Sequence, residues 1–172
     1  MNKKASMSRI KSLFFLYSLS VLFTACVSVN LSTSGQIEKS KTVGFSEPAA
    51  PFQKFKIESV DRAWKNFKNG NSISFLSECQ TVADPSLETL YRGIISSIDR
   101  SESVEKKLIT YNEREALRTR AIGYVDGVKS QFELVIFKKN NCTYILSYVG
   151  TEKHFSQDSQ QFEKFLSGFK AK

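Results

Sequence analysis

Residues 131–149 read QFELVIFKKNNCTYILSYV. Gln131 to Lys138 is an almost continuous apolar run of strand length, rich in β-branched and aromatic residues. Such a run predicts a strand covered on both faces, and therefore a central one. Lys139-Asn140-Asn141 supplies a tight turn, and Cys142 to Val149 returns as the neighbouring strand. Upstream, Asp126-Gly127 is flanked by alternating residues on both sides, a type I′ hairpin signal. It links the central strand to Ala116–Val125, and Val104–Tyr111 reads as a further strand before that. Consecutive strands joined in this way make an antiparallel β-meander.

The period changes on either side of the meander. Asp84-Pro85 is a helix start, with Asp as N-cap and Pro at the first helical position. Leu87, Leu90, Tyr91, Ile94, Ile95 and Ile98 then form an amphipathic stripe, closed by Asp99-Arg100-Ser101. A helix is predicted over about 85–99. Phe155, Phe162, Phe165, Leu166 and Phe169 share one side of a second pattern, which predicts a helix over about 156–169 capped by Ser156 or Asp158. Val60, Ala63, Trp64 and Phe67 also have helical spacing. They predict a short helix over about 59–68, ended by the turn Lys68-Asn69-Gly70-Asn71. Ser72–Ser77 alternates as a strand and leads into Glu78-Cys79. A meander sheet packed with helices is an α+β layer fold.

The N-terminal segment has a different character. Lys3, Lys4, Arg9 and Lys11 form a basic stretch without acids, followed by the apolar run Leu13–Cys26, LFFLYSLSVLFTAC. The run is too short to span a bilayer core, which takes about 20 helical residues, and it suits the h-region of a secretory signal peptide. Its end, Phe23-Thr24-Ala25-Cys26, resembles the lipobox of bacterial lipoproteins, with Phe23 where Leu is usual. That resemblance implies a signal peptide over 1–25, a diacylglyceryl group on the Cys26 thiol and cleavage just before it. An ordinary signal peptide with an incidental Cys26 is the plainer alternative. Two or more acyl chains would anchor the protein stably, at roughly 0.8 kcal/mol per buried CH₂. Residues 26–47 are rich in Ser, Thr and Lys and read as a flexible tether with a reach of about 25 Å. Within it, Thr42–Phe45 has the pattern of a short strand that could dock onto the domain. Pro48 and Pro51 mark the end of the tether and an extended approach to Phe52. Residues 48–172 are one domain by length.

The chain carries a formal net charge of +8, yet four of its 25 basic residues and none of its 17 acidic ones lie in residues 1–25. Half of the excess thus belongs to the leader. The remaining charges are scattered, and no basic stripe with interleaved aromatics argues for nucleic acid. With Cys26 acylated, Cys79 and Cys142 remain. An even pair in an exported chain reads as a disulfide worth about 4 kcal/mol, the alternative being two buried thiols. His154 is the only histidine, which excludes a His-rich metal set and makes a Cys/His nucleophile pair remote. It reads as a surface residue beside a helix start. GxSxG, P-loop and GxGxxG motifs are missing, so no cofactor is expected. Glu78, Asp84, Glu88 and Asp99 are scattered acids; Asp84 and Glu88 suit a helix start, and Asp126 suits its turn.

AWKN-x₃-GNSIS-x₃-EC, DPSLETL, the VDG hairpin, FKKNNCTY and the terminal FLSGF together resemble small, mostly uncharacterised lipoproteins of predatory and related proteobacteria. The likeness covers about residues 48–169. It implies a PsbP-like α/β sandwich and a Cys79–Cys142 disulfide. It speaks to fold more than to function. The expected function is a lipid-anchored, non-catalytic interaction or accessory module of the cell envelope. It would meet the membrane through Cys26 and an unidentified envelope protein through its domain. Val27 and Ser28 after Cys26, with no Asp to signal retention, imply the periplasmic face of the outer membrane. A small apolar-ligand carrier would instead need an aromatic-lined cavity of a few hundred Å³. A carboxylate hydrolase would need a cleft with two facing acids.

Overall fold

The structure, a computed structural model, describes residues 38–79 and 84–172. The leader, Cys26 and the first part of the expected tether lie outside the described residues. The strands are β1 (Val43–Gly44), β2 (Phe52–Phe55), β3 (Arg62–Asn66), β4 (Ser72–Cys79), β5 (Asp99–Tyr111), β6 (Arg114–Val125), β7 (Val128–Lys139), β8 (Cys142–Thr151) and β9 (Lys170–Ala171). The helices are α1 (Leu87–Ser96) and α2 (Phe155–Gly168). Seven strands form one sheet in the order β2-β3-β4-β8-β7-β6-β5, every neighbouring pair antiparallel. β1 and β9 pair separately.

β7 shows why its sequence is apolar at consecutive positions. Leu134 and Ile136 pack towards α1, in a cluster with Tyr91 and Leu117. Val135 and Phe137 belong to the opposite cluster, with Trp64, Phe75, Leu146 and the α2 residues Phe162, Phe165 and Phe169. Both faces are covered, so neither can be polar. Aromatic rings pack on one another through the α2 side, with Phe75–Phe169 centroids 5.2 Å apart and Phe137–Tyr144 centroids 4.9 Å apart.

The short helix expected over 59–68 is a strand. β3 pairs with β2 through Trp64–Lys54 and with β4 through Trp64–Ile73. Two turns of apparent helical spacing cannot outweigh two ladders of backbone hydrogen bonds. The turn that follows is the connection of a hairpin: Asn66 donates its amide to Asn71 O at 2.8 Å, and Gly70 takes φ +84°, a value that favours glycine. Helix α1 is also shorter than expected. Its N-cap is Ser86, whose hydroxyl accepts from Thr89 N at 3.1 Å, rather than Asp84, which reaches Lys138 instead. It ends at Ser96, because the Ser97 and Ser101 hydroxyls take the carbonyls of Ile94 and Ile95 and the chain turns directly into β5. In α2 neither Ser156 nor Asp158 is the cap; His154 occupies that position without a side-chain bond.

The expected tether is partly incorporated. Glu38 bridges to Cys79, and the Ser40 amide donates to Ser77 Oγ at 2.8 Å. β1 pairs with the C-terminal β9, which docks the short strand expected over 42–45. Phe45 contacts the rings of Trp64, Phe75 and Phe165. The packed domain therefore includes residues from Glu38 onward, well ahead of Pro48.

Candidate functional site

Cys79 closes β4 and Cys142 opens β8, and the register sets them directly opposite. Their sulfurs are 1.98 Å apart and their Cα atoms 3.9 Å apart. The bond lies at the end of the sheet that also carries the Asn112-Glu113 and Asn140-Asn141 turns. Both turns place two residues at positive φ, between 50° and 64°, as type I′ geometry requires. Two open depressions of about 300 and 370 Å³ flank the disulfide, and both include Asn140, Asn141 and Cys142. Lys138 and Lys139 on this rim are engaged by Asp84 and Glu113.

A charged groove of about 490 Å³ lies on the α2 side of the sheet, between β6, β7 and the first half of the helix. Glu133 on β7 is its buried group, with a side chain only 5 % exposed. Arg118 Nε donates to Glu133 Oε1 at 2.7 Å, and the same guanidinium reaches Glu163 on α2. Arg120 stands 3.9 Å from the other Glu133 oxygen. Partial burial pushes the Arg118 guanidinium down, but the hydrogen bonds it donates to Glu163 and Glu133 outweigh that and hold the group firmly protonated. Two carboxylates do face each other here, with a guanidinium between them. Both carboxylates are taken up as acceptors of the Arg118 guanidinium. The cluster works as an electrostatic clamp between helix and sheet.

A second polar cluster joins the β3–β4 hairpin to α2. The side-chain amides of Asn66, Asn69 and Asn71 all donate to Asp158 Oδ2, at 3.0, 2.8 and 2.8 Å. Their orientations are fixed from behind. Asn66 Oδ1 accepts from Lys68 N, Asn69 Oδ1 accepts from Asn71 N, and Asn71 Nδ2 also donates to His154 O. Three amide donors converge on one oxygen, so the cluster suits a carboxylate and not a cation. Burial pushes the Asp158 carboxyl up, and the Asn69, Asn66 and Asn71 donors outweigh it and lower it below the usual range. Gly150 is part of the same construction: a Cβ there would lie 2.1 Å from Asn71 Oδ1.

The remaining singled-out residues do not converge. Cys142 opens β8 and His154 lies beyond its other end, with a strand about 30 Å long between them. The His154 ring bonds Gln157 at 2.9 Å. Glu88 binds Lys106 and Arg92 on the surface, and the Lys106 bond, followed by the Arg92 bond, lowers its carboxyl. Asp99 pairs with Arg100, and Asp126 takes φ 50° in its hairpin turn. Among the described residues no group of His, Cys, Asp and Glu could hold a metal ion. Sequence reading missed the Asn–Asp cluster and the Arg118 clamp. The clustering of Asn66, Asn69 and Asn71 around one turn was the available signal for the first.

The architecture defined by this sheet and its two helices is an α+β, PsbP-like fold. Cyanobacterial PsbP (CyanoP) from Synechocystis sp. PCC 6803 is similar with a TM-score of 0.56 at 9% identity, covering 86% of this chain and 98% of that one. LpqN of Mycobacterium tuberculosis is similar with a TM-score of 0.56 at 6% identity, covering 80% of this chain and 86% of that one. No protein-family model matches the sequence, nor does any curated protein.

Proposed function

We propose that the protein is a lipid-anchored, non-catalytic interaction or accessory module of the bacterial cell envelope, held through an acylated Cys26 at the periplasmic face of the outer membrane. The observation that carries the reading is the basic, then apolar leader that ends at Phe23-Thr24-Ala25-Cys26. A disulfide between β4 and β8 agrees with an oxidising compartment. No helix among the described residues is long and apolar enough to cross a membrane. LpqN, which shares the fold, is described as involved in cell envelope biogenesis, which supports the compartment. Against catalysis stands the chemistry of the two polar clusters, whose carboxylates are held by guanidinium and amide donors. Against a ligand carrier, the aromatic residues on the α2 side pack against one another.

The test is globomycin treatment of expressing cells, with Cys26→Ala alongside. Accumulation of a larger precursor and loss of acyl labelling in Cys26→Ala are expected. No precursor in treated cells, or recovery of the untreated protein with the inner membrane or cytosol, overturns the reading.

A further inference from the structure

The β2–β3 side of the sheet gathers positive charge and apolar surface that the core does not use. Between Gln53 and Lys68 the chain carries five basic residues and two acidic ones. One of those acids, Asp61, is already engaged: Lys39 Nζ lies 3.0 Å from it, and Ser77 donates its amide and hydroxyl to it. Among the described residues Lys54, Lys56 and Lys65 enter no salt bridge. Lys106, Lys138 and Lys139 each pair with a carboxylate.

Apolar groups lie among the unpaired cations. Phe67, in the turn after β3, is 61% exposed, and Ile57, just after β2, is 39% exposed. Phe55 pairs with Ala63, and Lys65 lies two residues further along β3, so both stand on the sheet face opposite Trp64. The Phe55 and Phe67 rings meet edge to face with centroids 6.4 Å apart, and Lys65 Nζ stands 5.8 Å from the Phe67 ring centre. Phe55 and Ile57 line an open depression of about 380 Å³ together with Lys54 and Lys56. Helix α1 packs on the other half of this face, over β5, β6 and β7.

We propose that this patch docks on a phospholipid surface with anionic headgroups. Phe67 and Ile57 enter the headgroup boundary, and the three lysines reach the phosphates. Two observations select a bilayer. The first is complementarity: an exposed ring set among ammonium groups on long apolar stems suits a surface that is apolar beneath and anionic above. The second is where the chain enters the domain. Glu38 follows Cys26 by 12 residues, which span at most about 40 Å even fully extended. The next residue, Lys39, is the one paired with Asp61, and Asp61 lines the same depression. A chain held at Cys26 therefore enters its domain beside the patch. This placement rests on the acylated Cys26 proposed above, whereas the charge and the apolar surface do not.

The full-length chain, purified after expression, is added to vesicles of phosphatidylcholine alone or with phosphatidylglycerol. The Cys79–Cys142 bond leaves Phe67→Cys as the site for an apolar, environment-sensitive fluorophore that stands in for the ring, and the parent chain treated alike is the blank. On phosphatidylglycerol vesicles this label should be shielded from an aqueous quencher, while one on Val128→Cys, at the start of β7, stays accessible. Lys54→Gln, Lys56→Gln and Lys65→Gln together should lower the ratio of docked to free domain by at least about tenfold, since each lysine beside an anionic surface contributes about fivefold. Equal urea midpoints would show that this variant remains folded. Equal accessibility at the two labelled positions, or an unchanged ratio in the folded triple variant, overturns the proposal. So does shielding in intact envelopes without shielding on vesicles, which would assign the patch to an acidic protein. Intact mass reads acylation of Cys26 separately: an unacylated chain overturns the anchor, and the vesicle comparison still decides the patch.

Discussion

Asp158 ties α2 to the β3–β4 hairpin through a single carboxylate oxygen. Its Oδ2 takes three amide donors from a hairpin 87 to 92 residues away in sequence. Each donor favours the charged form, and together they lower the folded-state pKa despite partial burial. The unfolded chain has an ordinary Asp, near 3.9. A lowered folded value means that stability from this group is fully present above the unfolded value. It is lost as pH falls through the folded one. Urea midpoints measured from about pH 6 to about pH 3 should therefore fall more steeply for the parent protein than for Asp158→Asn. The variant should already be destabilised at neutral pH, by about 1–3 kcal/mol for a partly buried carboxylate network. Parallel acid limbs would mean the cluster contributes nothing.

Among the elements, the meander was the most legible. β6, β7 and β8 announce themselves because their strand patterns, continuous apolar in β7, are punctuated by turns whose chemistry is local: Asp126-Gly127 and Asn140-Asn141 both need positive φ and both have it. β3 was illegible for the opposite reason. Its window has only two helical turns of spacing, and its pairing partners β2 and β4 decide its conformation from outside. The Asn–Asp cluster was illegible because it is assembled from two distant segments. The β4–β8 pair offers a test at this scale. Cys79 and Cys142 sit opposite in register, 63 residues apart in sequence. The closed loop predicts a contribution of about 4 kcal/mol. Cys79→Ser, Cys142→Ser and the double variant should each lose a similar amount in denaturant unfolding, since one bond disappears in every case. Strictly additive losses would show that the two thiols act separately.

For the whole molecule, the sheet divides its apolar residues between two helices, and the extent of the domain depends on which segments complete each side. On the α2 side the last piece is N-terminal. Phe45 sits with centroids 5.6 Å from Trp64, 5.2 Å from Phe75 and 6.2 Å from Phe165. Its backbone neighbours Val43 and Gly44 pair with Ala171 and Lys170, and Lys172 N donates to Thr42 O at 2.9 Å. The two described ends thus tie each other down, and among the described residues β1 and β9 are each other's only strand partner. A domain cut at Pro48, where composition alone places its start, would lose the ring, the strand and the Ser40 bond to Ser77 together. Phe45→Ala isolates the packing part and should cost about 2–4 kcal/mol, less than a fully buried Phe because the ring is half-buried. A chain beginning at residue 48 should lose more than Phe45→Ala, and amide exchange at Lys170 to Lys172 should accelerate in it. Equal stability of the chains starting before Glu38 and at Pro48 would return those ten residues to the tether.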